Sequence, residues 1–162
     1  MLMISFLLTH AGQNHLEQLK PLVCAYHEFE QIEMSDAERL AALTPLLDDS
    51  ELGKIWLLRQ ESDEPIGYVA VCFGYSIEFK GRDAFVDEFY LVESARGRGI
   101  GRHALGQVIA EVADMGIVAL HLEVARSNSR ARRFYEDLGF MARDRYHLMS
   151  CPVHRADRVT GS

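Results

Sequence analysis

The chain has 162 residues, which is enough for one domain with a substantial buried core. Apolar residues make up 48% and charged residues 25% of the chain, which excludes an intrinsically disordered protein. The net charge of −7 argues against a general nucleic-acid binder and against a protein that binds anionic membranes.

The chain begins with a predicted strand followed by two predicted helices. Residues 3–8 are apolar but lack the basic segment and cleavage site of a signal peptide, so we interpret them as a strand. Apolar side chains at helical spacing predict a helix over residues 14–33, which Pro21 either restarts or kinks. A second helix is predicted to open at Ser35, because Ser35 and Glu38 have the spacing of a capping box.

The middle of the chain alternates between predicted strands and one long helix. Residues 54–60 and 65–75 are predicted to be antiparallel strands joined by a polar turn, and residues 84–92 a third, central strand. An apolar stripe over residues 104–115 predicts a helix. Residues 117–124 alternate between apolar and polar side chains, which is typical of a strand.

The chain closes with a short helix and a last strand. Ser127 or Asn128 is predicted to cap the helix, and residues 140–150 are predicted to return as a strand. The element order is therefore β-αα-β-β-β-α-β-α-β, an α/β domain around a mixed central sheet flanked by helices. We expect the domain to cover residues 1–151 and residues 152–162 to be a C-terminal tail.

A glycine-rich basic loop, Arg-Gly-Arg-Gly-Ile-Gly-Arg, occupies residues 96–102. Glycines on alternate positions leave the backbone N–H groups unshielded, and the helix that follows points its positive N-terminal end towards them. Seven of the 17 Lys and Arg residues lie between Arg96 and Arg133. A local basic zone on an acidic protein suits a small polyanion, so the loop is predicted to hold phosphate groups.

The sequence of this loop partly resembles two phosphate-binding motifs, the P-loop and the dinucleotide motif. A P-loop needs Lys-Ser or Lys-Thr after its last glycine, whereas Arg102 and His103 follow here, which excludes it. A dinucleotide motif, G-x-G-x-x-A, matches residues 99–104, and Glu123 lies about 20 residues further on. However, residues 93–98 separate the strand from the first glycine of that motif, and the chain offers a single β-α-β unit, so we rank the dinucleotide site low.

A third interpretation depends on two longer motifs. Arg96, Gly99 and Gly101 form R-x-x-G-x-G after the strand end Tyr90-Leu91-Val92. The second motif, N-x-x-A-x-x-F-Y-x-x-x-G-F, comprises Asn128, Ala131, Phe134, Tyr135, Gly139 and Phe140. With both motifs at this separation, residues 84–139 resemble the GNAT superfamily of acyl-CoA-dependent N-acyltransferases. The resemblance implies a single-domain GNAT fold that splays between strands 84–92 and 117–124.

The resemblance also implies acetyl-CoA as acyl donor, with no metal. Backbone N–H groups of the loop would hold its pyrophosphate; the loop residues are Arg96, Gly97, Arg98, Gly99, Ile100, Gly101 and Arg102. Leu91 and Val92 would pair their backbone with the pantetheine arm, the Leu91 N–H would polarise the thioester carbonyl, and Asn128 would hydrogen-bond the arm. Tyr135 would return a proton to the departing thiolate, which is feasible because a thiol has a pKa near ~8.5 and a phenol near ~10.

An amine acceptor must lose a proton before it attacks, so the site needs a base. Asp87 and Glu88 lie on the central strand just before the residues expected to contact the donor. Strict alternation would turn only one of them into the cleft unless a bulge intervenes. We prefer Glu88, since alternation would place Asp87 on one face with Phe85, Phe89 and Leu91.

The predicted function is transfer of an acetyl group from acetyl-CoA to a primary amine of a small molecule or peptide, by direct attack in a ternary complex. The family resemblance places the acceptor pocket at Tyr26, His27, Glu30, Tyr75 and Glu78. The alternatives are a non-catalytic acyl-CoA-binding regulatory module and, third, a dinucleotide-binding enzyme. Acidic residues near the pocket favour a cationic amine, whose identity stays open.

The remaining expectations concern partners and compartment. The three cysteines are odd in number and lack C-x-x-C spacing, which favours reduced thiols over disulfides or a zinc site. No nucleic-acid or membrane partner is expected, and the compartment is predicted to be the cytoplasm. Homodimers are common in the family, so a homodimer is compatible with this interpretation.

Overall fold

Residues 5–153 are described by a computed structural model, and they form a five-stranded mixed sheet. The strands follow one another across the sheet in chain order: β1 Leu7–His10, β2 Gly53–Arg59, β3 Pro65–Ser76, β4 Gly81–Leu91 and β5 Ala119–His121. The first three pairings are antiparallel, and β4 pairs with β5 in parallel. The predicted α/β class with a mixed sheet is confirmed.

In the described part of the chain, four α-helices flank this sheet: α1 Leu16–Phe29, α2 Asp36–Leu43, α3 Ile100–Asp114 and α4 Ser129–Glu136. The capping box predicted at the start of α2 is confirmed. The Glu38 N–H donates to Ser35 Oγ at 3.3 Å, and the Ser35 N–H donates to Glu38 Oε2 at 2.7 Å. Both groups would otherwise lack partners at a helix start, so the box sets where α2 begins.

Two hydrophobic cores lie on opposite faces of the sheet. On one face, Leu105 and Val108 of α3 pack with Trp56 and Val71 of the strands. On the other face, α1 and α2 cover a second cluster, comprising Ala11, Leu19, Leu22, Val23, Leu43, Leu47, Ile55, Leu57, Tyr68 and Ala70. Full burial of an aliphatic side chain of this size contributes about 1.5–3 kcal/mol, so both helical layers are held to the sheet by apolar contact.

Several element boundaries differ from the sequence-based prediction. Helix α3 begins at Ile100, four residues before the predicted start, because Gly99 takes a left-handed conformation that caps the helix inside the glycine loop. Strand β5 covers only Ala119–His121 of the predicted residues 117–124, because its pairing with β4 stops at Phe85. The first strand reaches His10, and residues 3 and 4 of its predicted range lie outside the described residues.

The last predicted strand, over residues 140–150, is not formed, which corrects the final element of the order. Strand β5 offers it an edge of three residues, too short to template a strand of that length. Without a paired neighbour, the apolar side chains of Met141, Leu148 and Met149 remain exposed.

Candidate active site

A short 3-10 turn, Glu93–Ala95, connects β4 to the glycine loop, and the last residues of the loop form the first turn of α3. Gly97 and Gly99 have φ angles of 71° and 80°, in the left-handed region that side chains avoid. Within residues 5–153 the N–H groups of residues 97–99 have no intramolecular acceptor. The first N–H groups of α3 add further free donors at the positive end of the helix dipole, so the loop is built to receive an anion.

The arginine side chains around the loop have distinct contacts. Arg96 Nε–H donates to the Leu91 carbonyl at 2.8 Å, and its guanidinium lies over the Tyr90 ring at 5.5 Å. Arg102 pairs with Asp137, the C-cap of α4, at 2.6 Å. These two arginines therefore fasten the loop to β4 and to α4, whereas Arg98 makes no ion pair with any described residue.

Gly101 permits close contact between the first turn of α3 and strand β4. A Cβ atom at Gly101 would lie 3.3 Å from Leu91 Cδ1 and 3.3 Å from Phe89 Cζ, tighter than ordinary packing. The third glycine therefore brings the helix start against the strand end, and this contact positions the free N–H groups beside β4.

An open basic groove continues from the loop between α3 and α4. Its volume is about 380 Å³, and it is lined by Arg102, Ser129, Arg130, Arg133, Phe134 and Asp137. Three guanidinium groups against one carboxylate leave the groove positively charged, which suits an anionic ligand that extends beyond the loop.

One edge of β4 is open beside the loop. Strands β4 and β5 pair only from Asp83 to Phe85. Beyond Phe85 the two strands are no longer paired, which is where the sheet is predicted to splay. The Val92 N–H bonds the Ile66 carbonyl across the sheet at 2.9 Å, whereas the Leu91 carbonyl accepts from the Arg96 side chain. Because the N–H and C=O of one strand residue point the same way, the Leu91 N–H faces the open edge.

Helix α4 is capped by Asn128 and carries Tyr135 near its end. Asn128 Oδ1 accepts the Ala131 N–H at 3.0 Å and caps the helix, and the amide NH₂ group makes no hydrogen bond with the described residues. The Tyr135 ring packs against Phe134 and Phe140. Burial, together with the negative charge of Glu30, raises the pKa of the Tyr135 hydroxyl, which favours its protonated form.

A β-bulge in β4 interrupts its regular pairing with β3 at the two candidate bases, Asp87 and Glu88. Val86 pairs with Val71 and Glu88 pairs with Ala70, so Asp87 is the extra residue and has no partner. Val86 and Phe89 both pack on the α3 face, three residues apart, which places Asp87 and Glu88 together on the α1 face. The alternation that led us to prefer Glu88 does not hold at this point of the strand.

Glu88 is the centre of a buried hydrogen-bond network. His27 Nε2 lies 2.7 Å from Glu88 Oε1, and the Tyr68 hydroxyl donates to Glu88 Oε2 at 2.6 Å. On the far side of the imidazole, Arg39 Nε–H donates to His27 Nδ1 at 3.2 Å. Helices α1 and α2 and strands β3 and β4 thus each contribute one member.

Asp87 has a different environment from Glu88. It is exposed, and its carboxylate makes no hydrogen bond or ion pair with the residues that the structure describes. Desolvation of its carboxyl group and the adjacent charge of Glu88 raise its pKa. A carboxylate that is accessible and has a raised proton affinity suits general-base chemistry.

The predicted acceptor residues fall into two groups. Tyr26, His27 and Glu30 line the end of α1 beside the carboxylates, and the Tyr26 ring contacts Tyr68 at 6.3 Å between centroids. Burial raises the pKa of Tyr26, with further contributions from Glu30, Glu88, Asp87 and Tyr135.

The other group lies at the β3–β4 hairpin. Tyr75 is five residues along β3 from Ala70, roughly 17 Å from the bulge, and Glu78 pairs with Arg143 at 2.7 Å. The structure does not bring these two residues to the carboxylates, and their role in acceptor binding stays a prediction.

Sequence reasoning missed two members of the network, Tyr68 and Arg39. Tyr68 stands in an otherwise aliphatic run, residues 66–71, and a lone phenol in such a run is a signal that it needs a polar partner. Arg39 gives no such signal, because it meets His27 only through the packing of two separate helices.

A known protein family matches the part of the chain that contains these elements. The model of the Acetyltransferase (GNAT) family matches residues 16–140, from the start of α1 to the end of the second motif. The chain belongs to the GNAT family. The match includes the glycine loop, the bulged strand and α4, so the resemblance inferred from the two motifs is confirmed.

Curated GNAT relatives match shorter stretches. An uncharacterized N-acetyltransferase of Bacillus subtilis is 31% identical over 90 residues, 56% of each chain. A thialysine N-epsilon-acetyltransferase of Bos taurus is 35% identical over 74 residues, 46% of this chain and 43% of its own length. The chain spans about half the length of the curated relatives it matches.

Solved structures share the GNAT fold along almost the whole chain. An integron cassette protein from the mobile metagenome of Cole Harbour Salt Marsh matches with a TM-score of 0.79 and 27% identity over 91% of each chain. An aminoglycoside 6′-N-acetyltransferase of Acinetobacter baumannii matches with a TM-score of 0.73 and 14% identity, over 93% of this chain and all of its own. At that identity, the second likeness concerns the fold alone.

The described residues include neither a membrane-spanning helix nor a metal-binding cluster. Among residues 5–153, no helix is both long and apolar enough to cross a bilayer. The same residues contain no group of three or more His, Cys, Asp or Glu side chains arranged to hold a metal ion.

Proposed function

We propose that this GNAT protein transfers an acetyl group from acetyl-CoA to a primary amine within a ternary complex. The observation that carries the proposal is the meeting of three features at one strand: the free N–H groups of residues 97–99, the open edge of β4 at Leu91, and the carboxylates of the bulge. An anion-binding loop, a carbonyl-polarising N–H and a base are the parts that acyl transfer to an amine requires.

The residues present fit acetyl-CoA as the acyl donor. Free N–H groups at Gly97 to Gly99 would bind its pyrophosphate, and the basic groove at Arg130 and Arg133 would take its more distant anionic groups. The Asn128 amide, whose oxygen is used in capping α4, would donate to the pantetheine arm. The donor supplies an acetyl group activated as a thioester.

Four residues would carry the chemistry. Asp87 or Glu88 accepts a proton from the ammonium form of the acceptor, directly or through water, and leaves a lone pair on nitrogen for attack. The Leu91 N–H polarises the thioester carbonyl, and the carbon–sulfur bond breaks as the carbon–nitrogen bond forms. Tyr135, whose raised pKa keeps it protonated, donates a proton to the sulfur, and it regains one from solvent as the nitrogen releases its second proton on forming the amide.

The acceptor class follows from the charges that line the pocket. Glu30 at the end of α1 and Asp87 on the bulge have no ion-pair partner among the described residues, and the rings of Tyr26 and Tyr90 lie between α1 and β4. Carboxylates next to aromatic faces favour a cationic alkylamine. The relative named for thialysine, an amine on an alkyl chain, supports the same class.

The test measures thiol release from acetyl-CoA across a panel of polyamines, lysine derivatives, peptides and aminoglycosides. We expect acetylation of at least one cationic amine and a reduced rate with neutral analogues of the same length. Binding of acetyl-CoA without turnover on any amine would favour the non-catalytic acyl-CoA-binding module instead.

A further inference from the structure

The Glu88 network defines the protonation state of its members through hydrogen-bond direction. An arginine N–H can only donate, so His27 Nδ1, 3.2 Å from Arg39 Nε, must be an acceptor and carries no proton. The single ring proton then lies on Nε2 and is donated to Glu88 Oε1. His27 is therefore a neutral imidazole in the Nε2–H tautomer.

Glu88 receives a donor on each of its oxygens. The Tyr68 hydroxyl donates to Oε2 at 2.6 Å, and the His27 Nε2–H donates to Oε1 at 2.7 Å. A carboxyl group that accepts on both oxygens is held in its ionised form and in one orientation. Glu88, His27 and Arg39 are each largely buried, with side-chain exposures of 16%, 5% and 13%.

Asp87, one residue away, has none of these constraints. It is exposed on the same face of the sheet and is free of ion pairs within the described chain. The fixed charge of Glu88 beside it strengthens its affinity for a proton. One carboxylate of the pair is thus fully bonded, and the other is accessible.

We propose that Arg39 and His27 are positioning residues that hold Glu88 as a fixed anion, and that Asp87 is the group that receives the amine proton. The inference rests on the proposed acetyl transfer. The N–H bond of the acceptor ammonium breaks, its proton goes to an Asp87 oxygen, and the electron pair left on nitrogen attacks the acetyl carbon. The carbon–sulfur bond then breaks, and the departing thiolate takes a proton from Tyr135.

Other titratable groups face Asp87 from each neighbouring element. Those within its electrostatic reach are Tyr26 and His27 of α1, Tyr68 and Cys72 of β3, and Glu88 of β4 itself. Burial raises the pKa of Tyr26, Tyr68 and Cys72, with the two carboxylates adding to the effect, so these three groups stay neutral where a carboxylate titrates. We therefore assign the acid limb of the rate profile to Asp87 rather than to these three groups.

The pH profile of kcat/KM separates the two carboxylates. We expect Asp87→Asn to lower kcat by about 100-fold and to remove the acid limb, since a lost general base has effects of this size. Glu88→Gln removes a neighbouring negative charge, which lowers the pKa of Asp87 and moves the acid limb to lower pH. The reverse pattern, in which Glu88→Gln abolishes turnover and Asp87→Asn only moves the limb, would overturn the proposal.

Variants of His27 test the positioning role. His27→Ala removes one donor to Glu88, and we expect kcat to fall about tenfold, with the acid limb displaced and acetyl-CoA affinity unchanged. His27→Gln keeps an N–H donor at the Nε2 position and should recover most of that loss. His10→Gln is the matched control, because His10 makes an equally short 2.7 Å contact with Glu111 far from the bulge. Equal losses in His27→Gln and His27→Ala would contradict the role.

The hydrogen-bond chain from Arg39 through His27 to Glu88, here called the relay, can also be tested by a measurement that does not depend on activity. Nitrogen-15 NMR of the imidazole should show His27 protonated at Nε2 and unprotonated at Nδ1, and Arg39→Met should disturb this tautomer. A doubly protonated ring or a proton on Nδ1 in the unmodified protein would overturn the relay. If no amine is acetylated at all, the Asp87 assignment falls with the proposed function, while the NMR result still decides the relay.

Discussion

Asp87 and Glu88 are consecutive residues, yet the bulge in β4 turns both side chains to the α1 face of the sheet. Their environments differ, because Glu88 accepts hydrogen bonds from His27 and Tyr68 whereas Asp87 is exposed. Two like charges at this separation raise the proton affinity of the less stabilised group. One distortion of a strand thus supplies both a fixed anion and a candidate base.

The Tyr68 hydroxyl should stabilise the fold through Glu88. Tyr68→Phe leaves a buried carboxylate short of one donor, and we expect the free energy of unfolding to fall by about 1.5–3 kcal/mol, measured by urea denaturation. Tyr75→Phe is the control, since Tyr75 is 72% exposed and should change stability by less than about 0.5 kcal/mol. Equal effects of the two variants would contradict the importance of the bond.

Gly101 should tolerate no branched side chain. Gly101→Val would press against Leu91 and Phe89, and overpacking of this kind costs about 1–3 kcal/mol. Because the displaced helix start carries the free N–H groups, acetyl-CoA affinity measured by calorimetry should fall as well. Gly106→Val on the same helix meets nothing within 4 Å and should leave both quantities nearly unchanged.

Asn128 is expected to have two separable roles. Asn128→Ala removes the cap of α4, which costs about 1 kcal/mol of stability, and also removes the proposed donor to the pantetheine arm. Asn128→Asp keeps the capping oxygen but loses the amide NH₂, so thermal stability should persist while acetyl-CoA affinity falls about tenfold. Unchanged affinity in Asn128→Asp would exclude the amide from donor binding.

Tyr135 should act as a proton donor rather than a binding group. Tyr135→Phe is expected to lower kcat by about 100-fold with little change in the acetyl-CoA dissociation constant. Because burial raises its pKa above the ordinary value of about 10, the unmodified enzyme should show no alkaline decline from Tyr135 below that pH. An alkaline limb at lower pH that disappears in Tyr135→Phe would contradict this assignment.

The parts of the fold that depend on local chemistry could be predicted from sequence. The capping box at Ser35 and the glycine loop before α3 were predicted from residue types at fixed spacing, and the structure contains both. The family followed from Asn128 and Tyr135 at their distance from the loop, and the family match confirms it.

The parts that depend on pairing between distant segments could not be predicted. The bulge at Asp87 exists because β3 and β4 change register between Ala70 and Val71, and no local pattern in either strand encodes that change. The contact between His27 and Arg39 likewise needs two helices to pack. The same reason explains the final strand, since a strand over residues 140–150 would need a partner edge longer than the three residues of β5.

The central claim is that the glycine loop binds acetyl-CoA, and calorimetry of the unmodified protein with two glycine variants tests it most directly. Gly99 and Gly116 sit at opposite ends of α3 with φ angles of 80° and 81°, so replacing either by Glu imposes the same backbone strain. We predict one-to-one binding by the unmodified protein and by Gly116→Glu, and none by Gly99→Glu. Absence of binding by the unmodified protein, or equal binding by both variants, would contradict the account.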